Sequence, residues 1–478
     1  MNFLNLVRNG SFRHWNGEEA KHWQIVAARP SAVEAKQASV LGFNSSGLPK
    51  ASHAIQLTSL SNDAPVYLEQ RVSLPQGARP FFVFRMAAKA VKRCDEVKVC
   101  IEGVAKQCFR APLTRDWRRF RFAFHLPEEN FSGNELVIRI QIPSAKGGSF
   151  LCTDVQLANM EEAAPRMPLS FRCDTFGDLA KASSRLRAWA LEDYLNLLGY
   201  ETCVNGGKKF DVYVCQKVLP WRKARWAKRM GKVVIYDLDD NDLARSARVK
   251  KDIERFLRLA DGATAGSPFL HDILSKFNAS VFLLENPVDV LERDIFHESG
   301  SWRGKLVWFG GPENVWMLRQ LKLNHQVTTI TQGGDVEYEL KTVDEHLTAF
   351  DLALLPVALN DETLAKNANR LVKCVGLGLP FLASDTQEHR RALERLRLPC
   401  DFLVTDEKDW EKRIEDVAWD YARYKNLVKN ARDLAFEVHG VETVAREWLD
   451  FCKKLWAEKQ RSSPPPRHGC FWRSWFKR

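Results

Sequence analysis

The stretch TLAKNANRLVKCVGLGLPFLAS, residues 363–384, joins a helical pattern to a buried strand. Apolar side chains recur at helical spacing as far as a glycine, and a short apolar run then follows. A helix leading into a wholly apolar strand is typical of parallel α/β units. The opposite side of the predicted helix carries four polar side chains without an acid, at Lys366, Asn369, Arg370 and Lys373.

The same alternation of apolar strands and helical segments continues on both sides of this stretch. Two series of similar length predict two doubly wound domains, at 169–300 and 301–440, with a cleft between them. A helix at 441–460 follows. The predicted strands lie at 169–173, 211–215, 232–237, 262–265, 280–284, 305–309, 326–331, 351–355 and 380–384. Ligands of such sheets bind at the carboxyl ends of the strands.

The first 160 residues have a different pattern, in which apolar and polar side chains alternate along short runs separated by turn residues. This period of two predicts an antiparallel β-sandwich over 1–160. The segment EEAAPRMP, 161–168, is the predicted linker. Trp15, Trp23 and Trp117 are either sugar-stacking platforms or core residues, and core is the more frequent role of such pattern residues.

Composition restricts the partners and the compartment. The chain has 478 residues and a formal net charge of +11, which favours an anionic partner. Its cations are dispersed and no nucleic-acid module is present, so we expect no nucleic-acid partner. The basic aromatic tail, 461–478, predicts peripheral contact with an anionic membrane surface. Without an apolar signal segment, the expected location is cytoplasmic, and the scattered cysteines predict neither a zinc site nor a disulfide framework.

Two segments predict an anion site at the carboxyl edge of the second sheet. Gly310 and Gly311, in FGGPENVW, follow one strand and offer backbone N–H groups at a helix start. Lys366 and Arg370 are expected to face a diphosphate held there. The alternative is a solvated basic helix face, but exposed faces usually mix charge signs, so the absence of an acid favours phosphate binding.

Two further segments predict chemistry at the edge of the first sheet. The run VVIYDLDDND ends a buried strand with Asp237, Asp239 and Asp240, which are candidates for a general base, for metal ligands or for helix caps. Arg185, within KASSRLRAW, is the candidate contact for an anionic acceptor.

Residues 169 to about 440 resemble glycosyltransferases of the GT-B fold, and among them the group-1, family 4-like enzymes of bacterial surface-polysaccharide synthesis. The segments that carry this resemblance are SSRLRAWALEDYLNLLGYE, GKVVIYDLDD, GSPFL, ENPVDV, LVWFGGPEN, FDLALLPV and KNANRLVKCVGLGLPFLASD. The first 160 residues resemble a jelly-roll carbohydrate-binding module, through NLVRNGSFRHW, YLEQRVSLPQG, RDWRRFRFAFHLP and FLCTDVQLANM. The implied fold class is therefore a jelly-roll sandwich followed by a GT-B unit of two Rossmann-like domains.

The resemblance implies a transferase that moves a sugar from a nucleotide-sugar to a glycan or lipid-linked glycan, without an obligatory metal or other cofactor. The second α/β domain would bind the donor and the first would bind the acceptor. The implied donor-binding residues are Gly310, Gly311, Asn314, Lys366, Asn369, Arg370 and Lys373. Lys366 and Arg370 would neutralise the diphosphate as the glycosidic bond breaks.

The sequence departs from the family at one pair of positions. Group-1 members carry two glutamates eight residues apart, and this chain has Ala365 and Lys373 there. The departure leaves open whether transfer retains or inverts the anomeric configuration, and whether Glu362 or Glu388 holds the donor. It also leaves two other functions: a catalytically silent glycan-binding scaffold, or a metal-dependent GT-A-type transferase that uses Asp237 and Asp239.

Overall fold

The computed structural model describes residues 15–462, with short gaps inside that range. The gaps are 17–18, 21–22, 27–32, 40–52, 61–65, 75–80, 93, 95, 104–105, 116, 126–134, 143–146, 161–168, 179, 208, 291–294, 299, 341, 359, 361–362 and 364. The predicted linker, Glu362, the side chain of Trp15 and nearly all of the basic tail therefore lie outside the described residues.

The N-terminal third folds into two packed antiparallel sheets, as the alternating pattern predicts. The described residues of this third form twelve strands, the last of which ends at Met160: β1 (Trp15–Asn16), β2 (Glu19–Ala20), β3 (Gln24–Val26), β4 (Val33–Ser39), β5 (His53–Ser59), β6 (Val66–Ser73), β7 (Phe81–Lys92), β8 (Glu96–Glu102), β9 (Lys106–Pro112), β10 (Arg118–His125), β11 (Glu135–Ile142) and β12 (Ser149–Met160). One sheet has the order β10-β7-β12-β5-β4 and the other the order β3-β6-β11-β8-β9.

The sandwich core takes the apolar side chains that alternate along these strands. Phe82, Phe84 and Ile138 are fully enclosed, and Trp23 packs among them. Trp23 is therefore a core residue and not a sugar platform. Trp117 is half-buried, with the ammonium of Lys89 located 5.3 Å from its ring centre.

One disulfide joins the neighbouring strands β8 and β9. Cys100 and Cys108 face each other in the antiparallel register and are covalently linked. The expectation that the cysteines form no disulfide framework is therefore wrong for this pair. The alternating pattern shows which side chains of each strand share a face. It does not specify the register between the two strands, which makes Cys100 and Cys108 partners.

The first α/β domain contains a parallel sheet in the order β14-β13-β15-β16-β17-β18. Its strands are β13 (Ser170–Thr175), β14 (Glu201–Val204), β15 (Val212–Gln216), β16 (Val233–Leu238), β17 (Gly262–Ala265) and β18 (Val281–Leu283). Its helices are α1 (Ala182–Ser184), a π-helical segment (Arg185–Trp189), α2 (Ala190–Leu198), α3 (Trp221–Arg229), α4 (Ala247–Leu259) and α5 (Pro268–Leu274). Strands β15 and β16 are buried throughout, which explains their continuous apolar runs.

The second α/β domain repeats the plan with a five-stranded parallel sheet, β20-β19-β21-β22-β23. Its strands are β19 (Leu306–Phe309), β20 (Val327–Ile330), β21 (Leu352–Leu355), β22 (Phe381–Ser384) and β23 (Leu403–Val404). Its helices are α6 (Val315–Gln320), α7 (Val343–Thr348), α8 (Asn369–Leu377), α9 (Gln387–Arg395), α10 (Trp410–Trp419) and α11 (Tyr421–Val438). The predicted fold class, a sandwich followed by two Rossmann-like domains, is confirmed.

The last helix, α12 (Val441–Ser462), returns to the first α/β domain. Trp448, Leu449 and Cys452 are buried in the same apolar cluster as Phe171 of β13. Because α11 packs in the core of the second domain, the chain crosses between the domains a second time at 438–441. Among the described residues, no helix is both long enough and apolar enough to cross a bilayer.

The sandwich is docked on helix α2 of the first α/β domain. Strand β7 is buried on both faces, with Phe84 in the sandwich core and Val83 in the core of the neighbouring domain. Arg85 projects to the same side as Val83 and makes a two-pronged ion pair with Asp193, at 2.9 and 3.1 Å. The Nε atom of Arg121 donates to the carbonyl of Leu197 at 2.7 Å.

We expect Asp193→Ala to destabilise the protein by about 3 kcal/mol, because it leaves the buried Arg85 guanidinium without its carboxylate. The matched control is Glu135→Ala, which removes the exposed partner of Arg71 and should cost about 0.5 kcal/mol or less. Urea unfolding followed by circular dichroism measures both. Equal midpoints for the two variants would show that the Arg85–Asp193 pair does not stabilise the docked sandwich.

Candidate active site

A half-buried cation lies at the carboxyl edge of the second sheet. Arg370, in the first turn of α8, donates at 3.3 Å to the carbonyls of Phe309 and Pro356, which end two adjacent strands. Its guanidinium lies 5.9 Å from the ring centre of Trp308. Within the described part of the chain, no carboxylate forms an ion pair with it. Burial lowers the pKa of Arg370 to about 10, so the group stays charged at neutral pH.

Lys366 and Asn314 make a second contact between the two segments that the guanidinium joins, 366–370 and 309–314. The ammonium of Lys366 donates to Oδ1 of Asn314 at 3.1 Å. A Cβ at Gly310 would lie 3.2 Å from the ring of Trp308 and 3.6 Å from Nη1 of Arg370, so glycine allows this close approach. The N–H of Gly310 donates to the carbonyl of Ile330, at 3.3 Å. It is therefore not the free donor that the sequence predicts, and Gly311 begins a short 3₁₀ turn.

The N-terminus of α8 adds backbone donors to this group. Ala368 occupies the N-cap position, and no side chain caps the helix there. The first backbone N–H groups of a helix have no partner within it, and the helix dipole favours an anion at that end. Two cations, an amide and an uncapped helix start thus converge on one site. Their arrangement fits a diphosphate.

Helix α8 begins six residues later than the sequence predicts. Asn360 and Thr363 form a turn of local hydrogen bonds, in which Oδ1 of Asn360 accepts from the N–H of Thr363 at 3.0 Å. Such side-chain contacts compete with helix formation. Lys366 therefore precedes the helix. Ala365, next to it, is fully buried in the core of the first α/β domain, so this segment spans the cleft.

Lys373 does not belong to the anion site. Its ammonium is buried and binds the carboxylate of Asp344 and the backbone carbonyl of Asp289. Burial alone would lower the pKa of Lys373, but Asp289 and Asp344 offset burial and raise it. The helix face that carries no acid in the sequence therefore acquires two acids from other elements.

Arg185 belongs to the same network, on the other side of the cleft. Its Nε and Nη2 atoms bind both carboxylate oxygens of Asp289, at 3.0 and 2.6 Å. Asp289 lies in the connection between the two domains, so it links Arg185 of the first domain to Lys373 of the second. Burial would raise the pKa of Asp289, but Arg185 and Lys373 hold it well below its usual range. The Arg185 guanidinium is thus engaged by the protein and does not face an acceptor.

Asp237 is a structural carboxylate. It is buried, accepts hydrogen bonds from Nε of Arg187 at 3.0 and 2.8 Å, and also accepts from the hydroxyl of Thr264. Arg187 in turn reaches Asn286 at 2.9 Å. The prediction that Asp237 is catalytic is therefore not supported by its surroundings. The GT-A alternative also requires Asp237 as a metal ligand. The guanidinium of Arg187 already occupies the position of the positive charge beside this carboxylate.

Asp239 and Asp240 directly follow β16 and share one cation, Lys217, which directly follows the neighbouring strand β15. Lys217 lies 2.7 Å from Asp239 and also binds Asp240. The backbone of Lys217 is left-handed, with φ of 56°, a conformation that is uncommon outside glycine and clusters at functional sites. The side chain of Asp240 is 38% exposed, whereas Asp239 is buried against Ser183. Asp240 is thus the carboxylate of the pair that a substrate can reach.

A small, open cleft lies between the domains, beside the start of α8. Its lining residues are Gly266, Glu285, Asn286, Asn367, Ala368, Asn369, Val372, Glu388, Arg391, Ala392, Arg395 and His439. Burial raises the pKa of Glu388 to about 7, against the opposing effect of Arg391. The sequence analysis identified Asn369 and Glu388 but not Glu285. The two arginines that form ion pairs with Glu285 lie on α9, more than a hundred residues away.

No protein-family model matches this chain. No curated protein sequence matches it either. Among solved structures, Alr3699/HepE of Anabaena, in complex with UDP and glucose, aligns with 60% of this chain and 100% of its own at 12% identity and a TM-score of 0.45.

Two solved structures align with the N-terminal third. TmCBM61, in complex with β-1,4-galactotriose, aligns with 33% of this chain and 99% of its own at 15% identity and a TM-score of 0.25. The enzymatically active domain of tailspike protein 4 from bacteriophage CBA120 aligns with 33% of this chain at 16% identity and a TM-score of 0.27. The match spans only 21% of that tailspike chain.

We expect Lys373→Met to destabilise the protein by about 3–5 kcal/mol, because it leaves the buried carboxylates of Asp344 and Asp289 with less compensating charge. Lys366→Met, seven residues earlier, removes an ammonium bound to an amide and should cost about 1 kcal/mol or less. Thermal unfolding by differential scanning calorimetry compares the two variants. A larger loss for Lys366→Met would contradict the structural role of Lys373.

The raised pKa of Glu388 predicts a pH dependence of stability. A carboxyl whose pKa rises on folding favours the folded state while it is protonated, and this contribution is lost as pH rises from about 4.5 through about 7. Glu388→Gln stays neutral, so its melting temperature should exceed that of the wild type by a few degrees at pH 8 and match it near pH 5. A constant difference across this range would argue against titration of Glu388.

Proposed function

We propose that this protein is a glycosyltransferase that moves a sugar from a nucleotide-sugar to a glycan or lipid-linked glycan. The observation that carries the proposal is the half-buried guanidinium of Arg370, which has no carboxylate partner in the described part of the chain. Burial of an uncompensated charge is unfavourable, so a cation kept in a cleft indicates that its counter-charge arrives with a ligand. A nucleoside diphosphate supplies that charge.

The site's chemistry matches the demand of glycosyl transfer. When the bond between the sugar and the diphosphate breaks, negative charge grows on the leaving phosphate. Arg370, Lys366 and the start of α8 are already positioned around that place, so they stabilise the charge without reorganisation. We propose that these groups make transfer independent of a metal ion.

The acceptor is placed on the other side of the cleft in this proposal. Asp240 is the accessible carboxylate at the edge of the first sheet, and we assign it as the base that takes the proton of the acceptor hydroxyl. Lys217 and Asp239 position it. The sandwich, docked on α2, would hold more distant sugars of the same glycan. We place the reaction in bacterial surface-polysaccharide synthesis, on the cytoplasmic side of the membrane.

A glycan-binding scaffold without turnover is the second candidate, and one observation favours it. Lys373 replaces an acid that related transferases carry at this position and is itself neutralised within the protein. Nucleotide release from a panel of nucleotide-sugars, measured with isolated lipid-linked glycans, separates the two functions. Sugar transfer identifies the enzyme, whereas nucleotide binding without any release identifies the scaffold.

We expect Arg370→Ala to weaken binding of the preferred nucleoside diphosphate, chosen from UDP, GDP, ADP and dTDP, by roughly 30-fold or more, because two charge-assisted hydrogen bonds are lost. Its thermal stability should be close to or above that of the wild type, since a half-buried charge without a described carboxylate partner is removed. Isothermal titration calorimetry measures the affinity. Arg390→Ala, which removes an exposed cation of the same domain paired with Asp385, is the control. Unchanged affinity in Arg370→Ala would refute the diphosphate assignment.

A further inference from the structure

Helix α3 presents an unusual surface to solvent. Its nine residues, WRKARWAKR, contain no acid. Arg222, Arg225, Trp226, Arg229 and Met230 are all exposed, and their spacing of i, i+3, i+4, i+7 and i+8 places them on one side of the helix. Trp226 is 47% and Met230 57% exposed. We call these five residues the α3 face.

The protein neutralises the other two cations of this helix. Lys223 pairs with Asp174 and lies over the ring of Tyr213, and Lys228 pairs with Asp261. In contrast, the three arginines of the α3 face form no ion pair with any described residue. Arg225 lies over the ring of Trp221, at 5.5 Å. The charges that remain on the α3 face are therefore available to an external anion.

Helix α4 extends the same surface. It packs directly beside α3: the rings of Trp221 and Phe256 are 5.0 Å apart, and Lys228 donates to the carbonyl of Leu259 at 2.7 Å. Its own exposed cations recur at helical spacing and form a second row. We call this row the α4 stripe, and its members are Arg248, Lys251, Arg255 and Arg258. Two acids of α4, Asp252 and Glu254, are half-buried beside it.

We propose that the α3 face and the α4 stripe bind an anionic lipid surface. The cations match the charge of acidic headgroups, each contributing about 1 kcal/mol near such a surface. An exposed tryptophan and an exposed methionine between them fit the headgroup boundary, where an indole ring lies with its apolar part inserted. A nucleic acid would account for the arginines alone and leave Trp226 and Met230 unexplained.

The position of this surface relates it to the active site. Helix α3 starts four residues after Lys217, at the carboxyl edge of the first sheet where Asp240 lies. A bilayer bound along α3 and α4 therefore lies on the flank of the acceptor side of the cleft. This inference rests on the proposed function and specifies its acceptor class. The acceptor is a glycan carried on a lipid, and its first sugars emerge from the membrane near Asp240.

Co-sedimentation of the full chain with vesicles tests the proposal. We use phosphatidylcholine vesicles with and without 30% phosphatidylglycerol, roughly a physiological anionic content. Binding should require the anionic lipid and fall with salt. Reversal of three charges in Arg222→Glu/Arg225→Glu/Arg229→Glu should reduce binding on the order of 100-fold. Trp226→Ala/Met230→Ser, which keeps every charge, should reduce it on the order of 10-fold.

Matched controls lie on the second α/β domain. Trp419→Ala removes a tryptophan that is 93% exposed, and Lys412→Glu/Lys429→Glu reverses exposed charges on α10 and α11. These variants should bind vesicles like the wild type. All variants should keep the wild-type melting temperature and the wild-type affinity for the preferred nucleoside diphosphate. Loss of diphosphate binding in Arg370→Ala with normal vesicle binding would separate the membrane surface from the donor site.

A variant that lacks 463–478 separates this surface from the basic aromatic tail. It should keep the dependence on Arg222 and Trp226. If removal of the tail abolishes binding and the α3 substitutions leave it unchanged, the proposal is wrong. It is also wrong if Trp226→Ala/Met230→Ser has no effect while the protein binds duplex DNA as tightly as the vesicles, since charge alone then explains the surface.

Discussion

Two cations lie three residues apart on helix α8, and the protein neutralises only one of them. Lys373 receives the carboxylate of Asp344 and lies near that of Asp289, so its burial is compensated inside the protein. Arg370 donates to two backbone carbonyls and lies over the face of an indole ring. These contacts orient the guanidinium but do not neutralise it. Since a partly desolvated charge without a counter-charge opposes folding, the retention of Arg370 beside the cleft is the constraint from which the functional assignment follows. The same contrast shows why a row of cations in a sequence does not by itself define a binding site.

The cleft itself depends on charges contributed by both domains. Asp289, in the connection between them, binds Arg185 on one side and Lys373 on the other, and Ala365 inserts into the core of the opposite domain. Glu285 makes a second junction with Arg391, Arg395 and His439. Burial would raise the pKa of Glu285, but these partners lower it to about 2. These contacts fix the distance between the acids of the first sheet and the cations of the second. Domain opening would have to break buried ion pairs, so the arrangement favours a closed cleft.

The architecture was predictable from the sequence because it follows from local periodicity. The run DVYVC becomes β15 and FDLALL becomes β21, since strands buried on both faces are continuously apolar. The site was predictable only in part. Lys366 and Arg370 do converge with Asn314, because parallel strands bring their carboxyl ends to one edge. The partners of Lys373, Asp237 and Arg185 come from segments tens of residues away, and the Asn360–Thr363 turn that delays α8 competes with a helix by local hydrogen bonds. Nothing in a one-dimensional pattern specifies such pairings.

In the proposed function, the two edges of the cleft differ in the charged group that a substrate reaches: the guanidinium of Arg370 on the second sheet and the carboxylate of Asp240 on the first. The edge of the second sheet is positive around Arg370 and Lys366, so the anionic end of a nucleotide-sugar orients toward it. The edge of the first sheet offers Asp240, a carboxylate that attracts a hydroxyl and disfavours a phosphate. Phe176, 49% exposed beside Lys217 at the end of β13, adds an apolar face suited to a sugar ring. In the proposed function, a donor bound with its diphosphate at α8 would present its sugar toward the acid, and the sugar would be transferred across the cleft.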